Sequence, residues 1–123
     1  MVNVVNGQVV SGYGEGKKLG FPTANLQLVT ESFRPSQGVY ACWVSVADNK
    51  KRPGILVSGV YWEEVNVPRI EVYVLDFSGD LYGKNVSVEI VQKIREVVRL
   101  LKVDELKNLI KNDIVSARAI LKQ

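Results

Sequence analysis

The residues best suited to chemistry lie in one stretch, Gly14-Glu15-Gly16-Lys17-Lys18-Leu19-Gly20-Phe21-Pro22-Thr23-Ala24-Asn25. Glycines let a backbone approach a ligand closely, and consecutive free N–H groups form a concave anion site that a lysine reinforces. Thr23 and Asn25 are two residues apart, so in an extended chain they point the same way. Their oxygens are the hard ligands that suit Mg²⁺. The stretch therefore predicts a loop that binds phosphate and a metal ion.

The alternative for this stretch is a glycine-rich hairpin turn with solvated lysines. Spacing alone slightly favours the turn, because neither common phosphate-binding template fits. Gly16-Lys17 is followed by Lys18 and not by Ser or Thr, and Pro22 prevents a helix from starting nearby.

Glu71 is the second candidate for chemistry. It is the lone acid in Ile70–Leu75, a run of β-favouring residues that is typical of a strand buried on both faces. Either Glu71 faces solvent locally, or it lines a ligand cavity, where a partly desolvated carboxylate is a candidate general base. The chain has no histidine, which excludes Ser-His-Asp and Cys-His triads and His-ligated zinc. Acid–base chemistry must then come from a carboxylate, Lys or Tyr.

Composition indicates one globular domain over residues 1–123, with 46% hydrophobic and 24% charged residues. No apolar run has the length of a membrane span and no signal peptide is visible, so we expect a cytoplasmic protein without membrane contact. The single cysteine, Cys42, is expected to be a buried core thiol. Eight of the sixteen basic residues lie between Lys93 and Lys122, beside four acids. A solvated helix face explains this cluster better than a phosphate-binding surface.

The hydrophobic pattern predicts short strands joined by turns, followed by one helix. A strand, a turn and a second strand are expected in Val2–Val10, and further strands at Leu26–Leu28, Gly38–Val46, Ile55–Tyr61 and Ile70–Leu75. Asp48–Gly54 reads as a hairpin loop and Glu63–Pro68 as a connection. The last strand has a period of two, with one face formed by Val86, Val88, Ile90 and Ile94.

The period becomes helical from Val103, with Asp104 and Glu105 opposing the N-terminal dipole and Lys102 at the position where a capping side chain is expected. The predicted apolar stripe is Val103, Leu106, Leu109, Ile110, Ala117, Ile120 and Leu121. Strands with short turns and a terminal amphipathic helix predict a small antiparallel barrel with the helix packed outside it.

The order of these motifs resembles the riboflavin kinase (flavokinase) family, which includes the C-terminal module of bacterial bifunctional FAD synthetases. The resemblance runs from about Asn6 to Leu121. The segments that carry it are Gly7-Gln8-Val9-Val10-Ser11-Gly12, Leu19-Gly20-Phe21-Pro22-Thr23-Ala24-Asn25, Pro35-Ser36-Gln37-Gly38-Val39-Tyr40-Ala41, Glu71-Val72-Tyr73-Val74-Leu75-Asp76-Phe77, Asp80-Leu81-Tyr82-Gly83-Lys84, Ile94-Arg95 and the spacing from Asp113 to Arg118.

The resemblance implies a six-stranded antiparallel Greek-key barrel with a C-terminal amphipathic helix. It implies transfer of the γ-phosphoryl group of ATP to the ribityl 5′-hydroxyl of riboflavin, giving FMN and ADP. The implied cofactor is Mg²⁺, with Zn²⁺ or Mn²⁺ as alternatives. The implied partners are riboflavin and ATP, and we expect a monomer that binds no nucleic acid.

The resemblance also assigns site residues. Glu71 is the expected base, Thr23 and Asn25 hold the metal and nucleotide, and Asp113 and Arg118 contact the flavin. The residues expected to bind the nucleotide and its phosphates are Gly14, Gly16, Lys17, Gly20, Pro22, Thr23 and Asn25.

Two segments differ from the family pattern. Gly14-Glu15-Gly16-Lys17 replaces a loop that usually has a second arginine, and Val57–Glu63 retains only Gly59 of an Asn-Ile-Gly-x-x-Pro-Thr segment. The second difference motivates an alternative function, a kinase-like barrel that binds flavin or nucleotide without turnover. A third hypothesis is a barrel that binds single-stranded nucleic acid through the Lys93–Lys122 charges and surface aromatic rings.

Overall fold

Six antiparallel strands close into a barrel in this computed structural model, which describes residues 3–10, 23–46, 50–62, 65–77, 79–98 and 102–122; for 60–62 and 65–68 it describes the backbone. The elements are β1 Asn3–Val10, β2 Ala24–Leu28, β3 Gly38–Val46, β4 Lys50–Trp62, β5 Val65–Val74, β6 Asn85–Arg95 and α1 Val103–Ile120. In the barrel the strands follow the order β1-β2-β5-β4-β3-β6. Strands β3, β4 and β5 are consecutive neighbours and β2 pairs with β5, which is a Greek key. The predicted fold is confirmed.

The barrel interior is filled by alternate residues from every strand, as the two-residue period of a strand requires. Val5, Val44, Leu56 and Val88 have no exposed surface. Cys42 lies among them, and its burial raises the pKa of the thiol, as expected for a core cysteine. The buried residues of this inner core are Val5, Val9, Leu26, Tyr40, Cys42, Val44, Val46, Leu56, Ile70, Val72, Val74, Val86 and Val88.

A second core lies outside the barrel, beneath α1. Ala117 and Leu121 pack against Val39, Ala41 and Ile55 on the outward faces of β3 and β4. This explains why β3 is apolar on both faces: one face lines the barrel and the other is covered by the helix. The helix begins after Lys102 without a side-chain cap, as the sequence predicted.

One ion pair fixes α1 to β6. Arg95 donates to both carboxylate oxygens of Asp113, from Nε to Oδ1 at 2.8 Å and from Nη2 to Oδ2 at 2.7 Å. Asp113 is 4% exposed, so this carboxylate is held inside the contact between helix and barrel.

Two predicted loops are strand. Lys50–Gly54 belongs to β4, where Trp43 pairs with Pro53 and Cys42 with Gly54. A Cβ on Gly54 would lie 2.6 Å from Cγ2 of Val44, so the glycine serves close packing inside the barrel and not a turn. Likewise β5 begins at Val65, so Asn66, Val67 and Pro68 lie in its irregular first part. The sequence analysis assigned Pro53-Gly54 to a hairpin loop and Pro68 to a connection, because Pro and Gly are typical of turns. In the barrel the same residues lie in strands.

Three further expectations were wrong. The predicted turn inside Val2–Val10 is absent, because β1 pairs continuously with β6 through Gln8 and with β2 from Gly7. Ile94 packs under α1 and not in the barrel, because register shifts between β3 and β6 change which face the residues of β6 occupy. Val103 is 59% exposed because it lies at the start of α1, away from the outer core.

The Pro35–Gly38 segment is hydrogen-bonded to side chains of β3 and β4. Ser58 donates to the carbonyl of Pro35 at 3.1 Å, and Tyr40 donates from its hydroxyl to the carbonyl of Ser36 at 2.7 Å. Gly59 has φ 112° and a Cβ there would lie 2.3 Å from Cγ of Gln37. Only glycine fits this position, which accounts for its retention in an otherwise altered segment.

Candidate active site

Two candidate residues far apart in sequence meet across strands β2 and β5. Asn25 is paired directly with Glu71 in the antiparallel ladder. Their neighbours Leu26, Ile70 and Val72 fill the barrel, so Asn25 and Glu71 both project from its outer face. Directly paired residues have Cβ atoms roughly 4.5–5.5 Å apart, close enough for one substrate to contact both.

Asn25 has the environment of a metal or nucleotide ligand. It is 8% exposed although it points outward, and Oδ1 is buried without a hydrogen-bond partner in the described part of the chain. A buried, unsatisfied carbonyl oxygen is costly unless a ligand satisfies it. Thr23, two residues earlier, is partly exposed and falls on the same side of the chain. The two oxygens therefore suit a hard divalent cation, which would take its remaining ligands from phosphate and water.

Among the described residues, no group of three or more Cys, Asp or Glu side chains could hold a metal ion.

Glu71 is partly buried, with 23% of its side chain exposed. It lies between Asn25 on β2 and Val57 on β4, its partners in the two ladders. The guanidinium of Arg69 is beside it, with Nη1 3.8 Å from Oε1 of Glu71. The position is neither fully solvated nor sealed, so a substrate hydroxyl can reach the carboxylate. Its role as base stays a prediction.

Arg118 lies farther along the same outer face. Its Nη1 and Nη2 donate to the two carboxylate oxygens of Asp76 at 3.0 and 2.8 Å, which joins the last turn of α1 to the end of β5. The hydrogen bonds with Arg118 lower the pKa of the Asp76 carboxyl, and the same bonds raise the pKa of Arg118. Tyr73, two residues from Glu71, is close enough to raise the pKa of Arg118 as well. A continuous outer surface thus leads from Asn25 through Glu71 and Tyr73 to Arg118.

Asp113 is placed differently from the other candidates. Both its oxygens accept hydrogen bonds from Arg95, and the side chain is 6% exposed. Its geometry is that of a residue that fixes α1 on the barrel, so any effect on the flavin would be indirect. Its predicted contact with the flavin stays a prediction.

The glycine loop cannot be compared with its prediction. Gly14, Gly16, Lys17, Gly20 and Pro22 lie outside the described residues. Their predicted contacts with the nucleotide therefore remain hypotheses.

The structure adds two residues that the sequence analysis did not single out, Arg69 and Asp76. Arg69, Glu71 and Tyr73 are spaced by two residues on β5 and therefore point to the same outer face. This spacing could have been read from the sequence. Asp76 lies two residues beyond the end of β5 with φ 57°, a backbone conformation that Asp adopts more readily than most residues.

In the described part of the chain, three of the eight basic residues in the C-terminal cluster form ion pairs within the protein. Lys93 pairs with Glu96, Arg95 with Asp113 and Arg118 with Asp76. Of the Tyr and Trp side chains that the structure describes, Tyr40 lies in the inner core, Trp43 and Tyr73 pack at the outer core, and Tyr82 is 65% exposed. The nucleic-acid hypothesis stays a hypothesis. No helix in the described ranges is both long and apolar enough to cross a membrane.

Comparison with known proteins agrees with this geometry. The family model described as Flavokinase: Riboflavin kinase matches residues 3–121. The bifunctional riboflavin kinase/FMN adenylyltransferase of Escherichia coli K12 is 37% identical over 115 residues, covering 93% of this chain and 36% of the relative. The Pseudomonas fluorescens protein of the same name is 36% identical over 118 residues, covering 94% of this chain and 37% of the relative. The chain thus spans just over a third of the length of these relatives.

Two solved structures share the fold. A Streptococcus pneumoniae structure described as a macrolide-efflux protein has a TM-score of 0.86 and 32% identity, covering 94% of this chain and 38% of that one. Riboflavin kinase from Trypanosoma brucei has a TM-score of 0.71 and 24% identity, covering 98% of this chain and 77% of that one. The second likeness is evidence for the barrel fold.

Proposed function

The chain belongs to the riboflavin kinase family, and we propose that it transfers the γ-phosphoryl group of ATP to the ribityl 5′-hydroxyl of riboflavin. The products are FMN and ADP. The observation that supports this most directly is the pairing of Asn25 with Glu71 across β2 and β5. It puts a suitable metal and nucleotide ligand beside a suitable base, which are the two groups that this transfer needs.

In the proposed reaction, the ribityl oxygen forms a bond to the γ-phosphorus while the bond from that phosphorus to the bridging oxygen of ADP breaks. The Glu71 carboxylate accepts the proton of the hydroxyl. Because the transition state of phosphoryl transfer is loose, placement and charge neutralisation supply most of the catalysis. Glu71 therefore acts late, as the hydroxyl loses its proton.

Thr23 and Asn25 would hold the divalent cation with the nucleotide. A bound Mg²⁺ neutralises charge on the phosphate oxygens, and Zn²⁺ or Mn²⁺ are alternatives with the same role. The unpartnered Oδ1 of Asn25 supports this assignment. We propose that the phosphates are bound by the backbone N–H groups of Gly14, Gly16 and Gly20 and by the Lys17 ammonium. Pro22 belongs to the same proposed nucleotide-binding segment.

Arg118 is proposed to contact the flavin, with Asp113 fixing the helix that carries it. Asp76 holds the Arg118 guanidinium through two hydrogen bonds, so the group is oriented before a ligand arrives. Tyr73 lies on the outer face between Glu71 and Arg118, where an aromatic ring suits contact with a flavin. We further propose that the chain acts in the cytoplasm, as a monomer and without nucleic acid.

The first test is product analysis. Purified protein with Mg²⁺, riboflavin and ATP should yield FMN and ADP, separated by chromatography. Glu71→Gln should lower kcat at least about 100-fold, the effect expected for loss of a general base. Glu89→Gln is the matched control, since Glu89 is also a partly exposed strand carboxylate, with 29% of its side chain exposed, but on β6. It should leave kcat unchanged.

A protein that binds without turnover is the alternative that the altered Val57–Glu63 segment motivates. Val57 is the β4 partner of Glu71, so this segment borders the proposed site. Quenching of riboflavin fluorescence without ATP consumption, and no FMN with ATP, CTP or GTP, would support the alternative and contradict kinase activity.

A further inference from the structure

Arg69 is next to the proposed base on the same strand and the same face. It precedes Glu71 by two residues on β5, and Nη1 lies 3.8 Å from Oε1 of Glu71. The side chains of Arg69 and Glu71 are 18% and 23% exposed. At this depth the attraction between the charges is less screened than on an open surface.

The ladder partners of Glu71, Asn25 on β2 and Val57 on β4, are both uncharged. Along β5 itself, Arg69 brings a positive charge beside the carboxylate, on the side away from Tyr73. A glutamate has three rotatable bonds, so a cation fixed on one side restricts the directions in which its oxygens point.

We propose that Arg69 is a positioning residue for the phosphoryl transfer: its guanidinium draws Oε1 toward itself and so orients the Glu71 carboxylate for the ribityl hydroxyl. This inference rests on the proposed function. The Arg69 guanidinium attracts Oε1, and the carboxylate plane is then set by that contact and by the ladder partners. A base held in this way stays in reach of the hydroxyl, and small misplacement of reacting groups costs much of the rate.

A purely structural role would give a different result. Partly exposed ion pairs contribute little to stability, and the 3.8 Å contact is longer than a hydrogen bond. Loss of Arg69 should therefore change the reaction more than it changes the folding.

The experiment is a double-mutant cycle on FMN formation, with Arg69→Gln, Glu71→Gln and the pair. Arg69→Gln should lower kcat at least about tenfold, while KM for riboflavin and for ATP stays within about twofold. If Arg69 acts through Glu71, adding Arg69→Gln to Glu71→Gln should change kcat by less than about twofold.

Two more variants make the cycle specific. Arg69→Lys retains the charge and should recover part of the lost kcat, although a single ammonium replaces the guanidinium fork. Lys51→Gln is the matched control. Lys51 lies on β4 and forms a 2.9 Å ion pair with Glu89, so this substitution also breaks an ion pair on the outer face of the barrel, but not the one with Glu71. It should leave kcat unchanged. Melting temperatures of all variants show whether each is folded.

The outcomes separate the inference from the function on which it rests. Wild-type FMN formation with additive effects of the two substitutions would overturn the inference alone. So would a higher KM with unchanged kcat, or a melting temperature that falls in step with kcat. No FMN from the wild-type protein would overturn the proposed function and the inference together.

Discussion

Asn25 shows how one side chain can carry a functional hypothesis. It points out of the barrel yet is 8% exposed, and its Oδ1 lacks a partner among the described residues. Native proteins leave few buried polar atoms unsatisfied, and this oxygen is the observation on which the proposed metal and nucleotide ligand rests. Asn25 and Thr23 were expected at the metal from sequence, and the geometry gives that expectation a physical reason.

We predict that Asn25→Ala weakens binding of the metal together with the nucleotide by about tenfold, because one of few protein ligands is lost. Titration of Mn²⁺ by electron paramagnetic resonance, in the presence of ADP, measures this without any turnover. Gln27→Ala is the control, since Gln27 is an exposed outward residue of the same strand. Equal Mn²⁺ affinity of the Asn25→Ala and wild-type proteins would contradict the assignment.

At the scale of elements, α1 is attached to the barrel by apolar contacts and by one buried ion pair. Ala117 and Leu121 pack on β3 and β4, while Asp113 accepts two hydrogen bonds from Arg95 of β6. The helix in turn carries Arg118 to the end of β5. The proposed flavin contact therefore depends on how the helix is docked, and docking depends on Asp113.

We predict that Asp113→Ala lowers the free energy of unfolding by about 3 kcal/mol. Removing one partner of a buried ion pair leaves the other charge without compensation, and this costs more than the pair itself contributes. Urea denaturation measures the change. Asn112→Ala, one residue earlier on the exposed side of α1, should change stability by less than about 0.5 kcal/mol. If Asp113→Ala lowered the free energy of unfolding as little as Asn112→Ala does, apolar packing alone would hold the helix on the barrel.

At the scale of the whole molecule, barrel closure creates the site. Strand β2 pairs with β5, and β1 with β6, so segments from distant parts of the chain become neighbours. The family match covers residues 3–121, nearly all of this 123-residue chain, while the bifunctional relatives are almost three times as long as the matched region. The family model that matches this chain is that of the kinase.

We predict that the 123-residue chain converts riboflavin to FMN but does not convert FMN to FAD. Incubation with FMN, ATP and Mg²⁺, followed by chromatography, should show no FAD, because the family model that matches residues 3–121 is that of riboflavin kinase. The E. coli bifunctional protein is the positive control for the assay. Appearance of FAD at a rate that scales with the concentration of this protein would contradict the prediction.

Sequence by itself determined the fold class, the identity of the helix and the candidates Thr23, Asn25 and Glu71. Period-two alternation and the change to a helical period are local properties, set by which faces must leave water, so they can be read without coordinates. The same is true of Cys42, whose apolar neighbours in sequence already predicted its burial.

Tertiary structure alone decided the pairing of Asn25 with Glu71, the face on which Ile94 lies and the partners of Asp113, Arg118 and Arg69. The register of β2 on β5 and the bulges of β6 are set by closure of the barrel, which no local pattern encodes. Pro53 and Gly54 were misread for the same reason: the barrel uses them for close packing, a need that arises only when the strands meet.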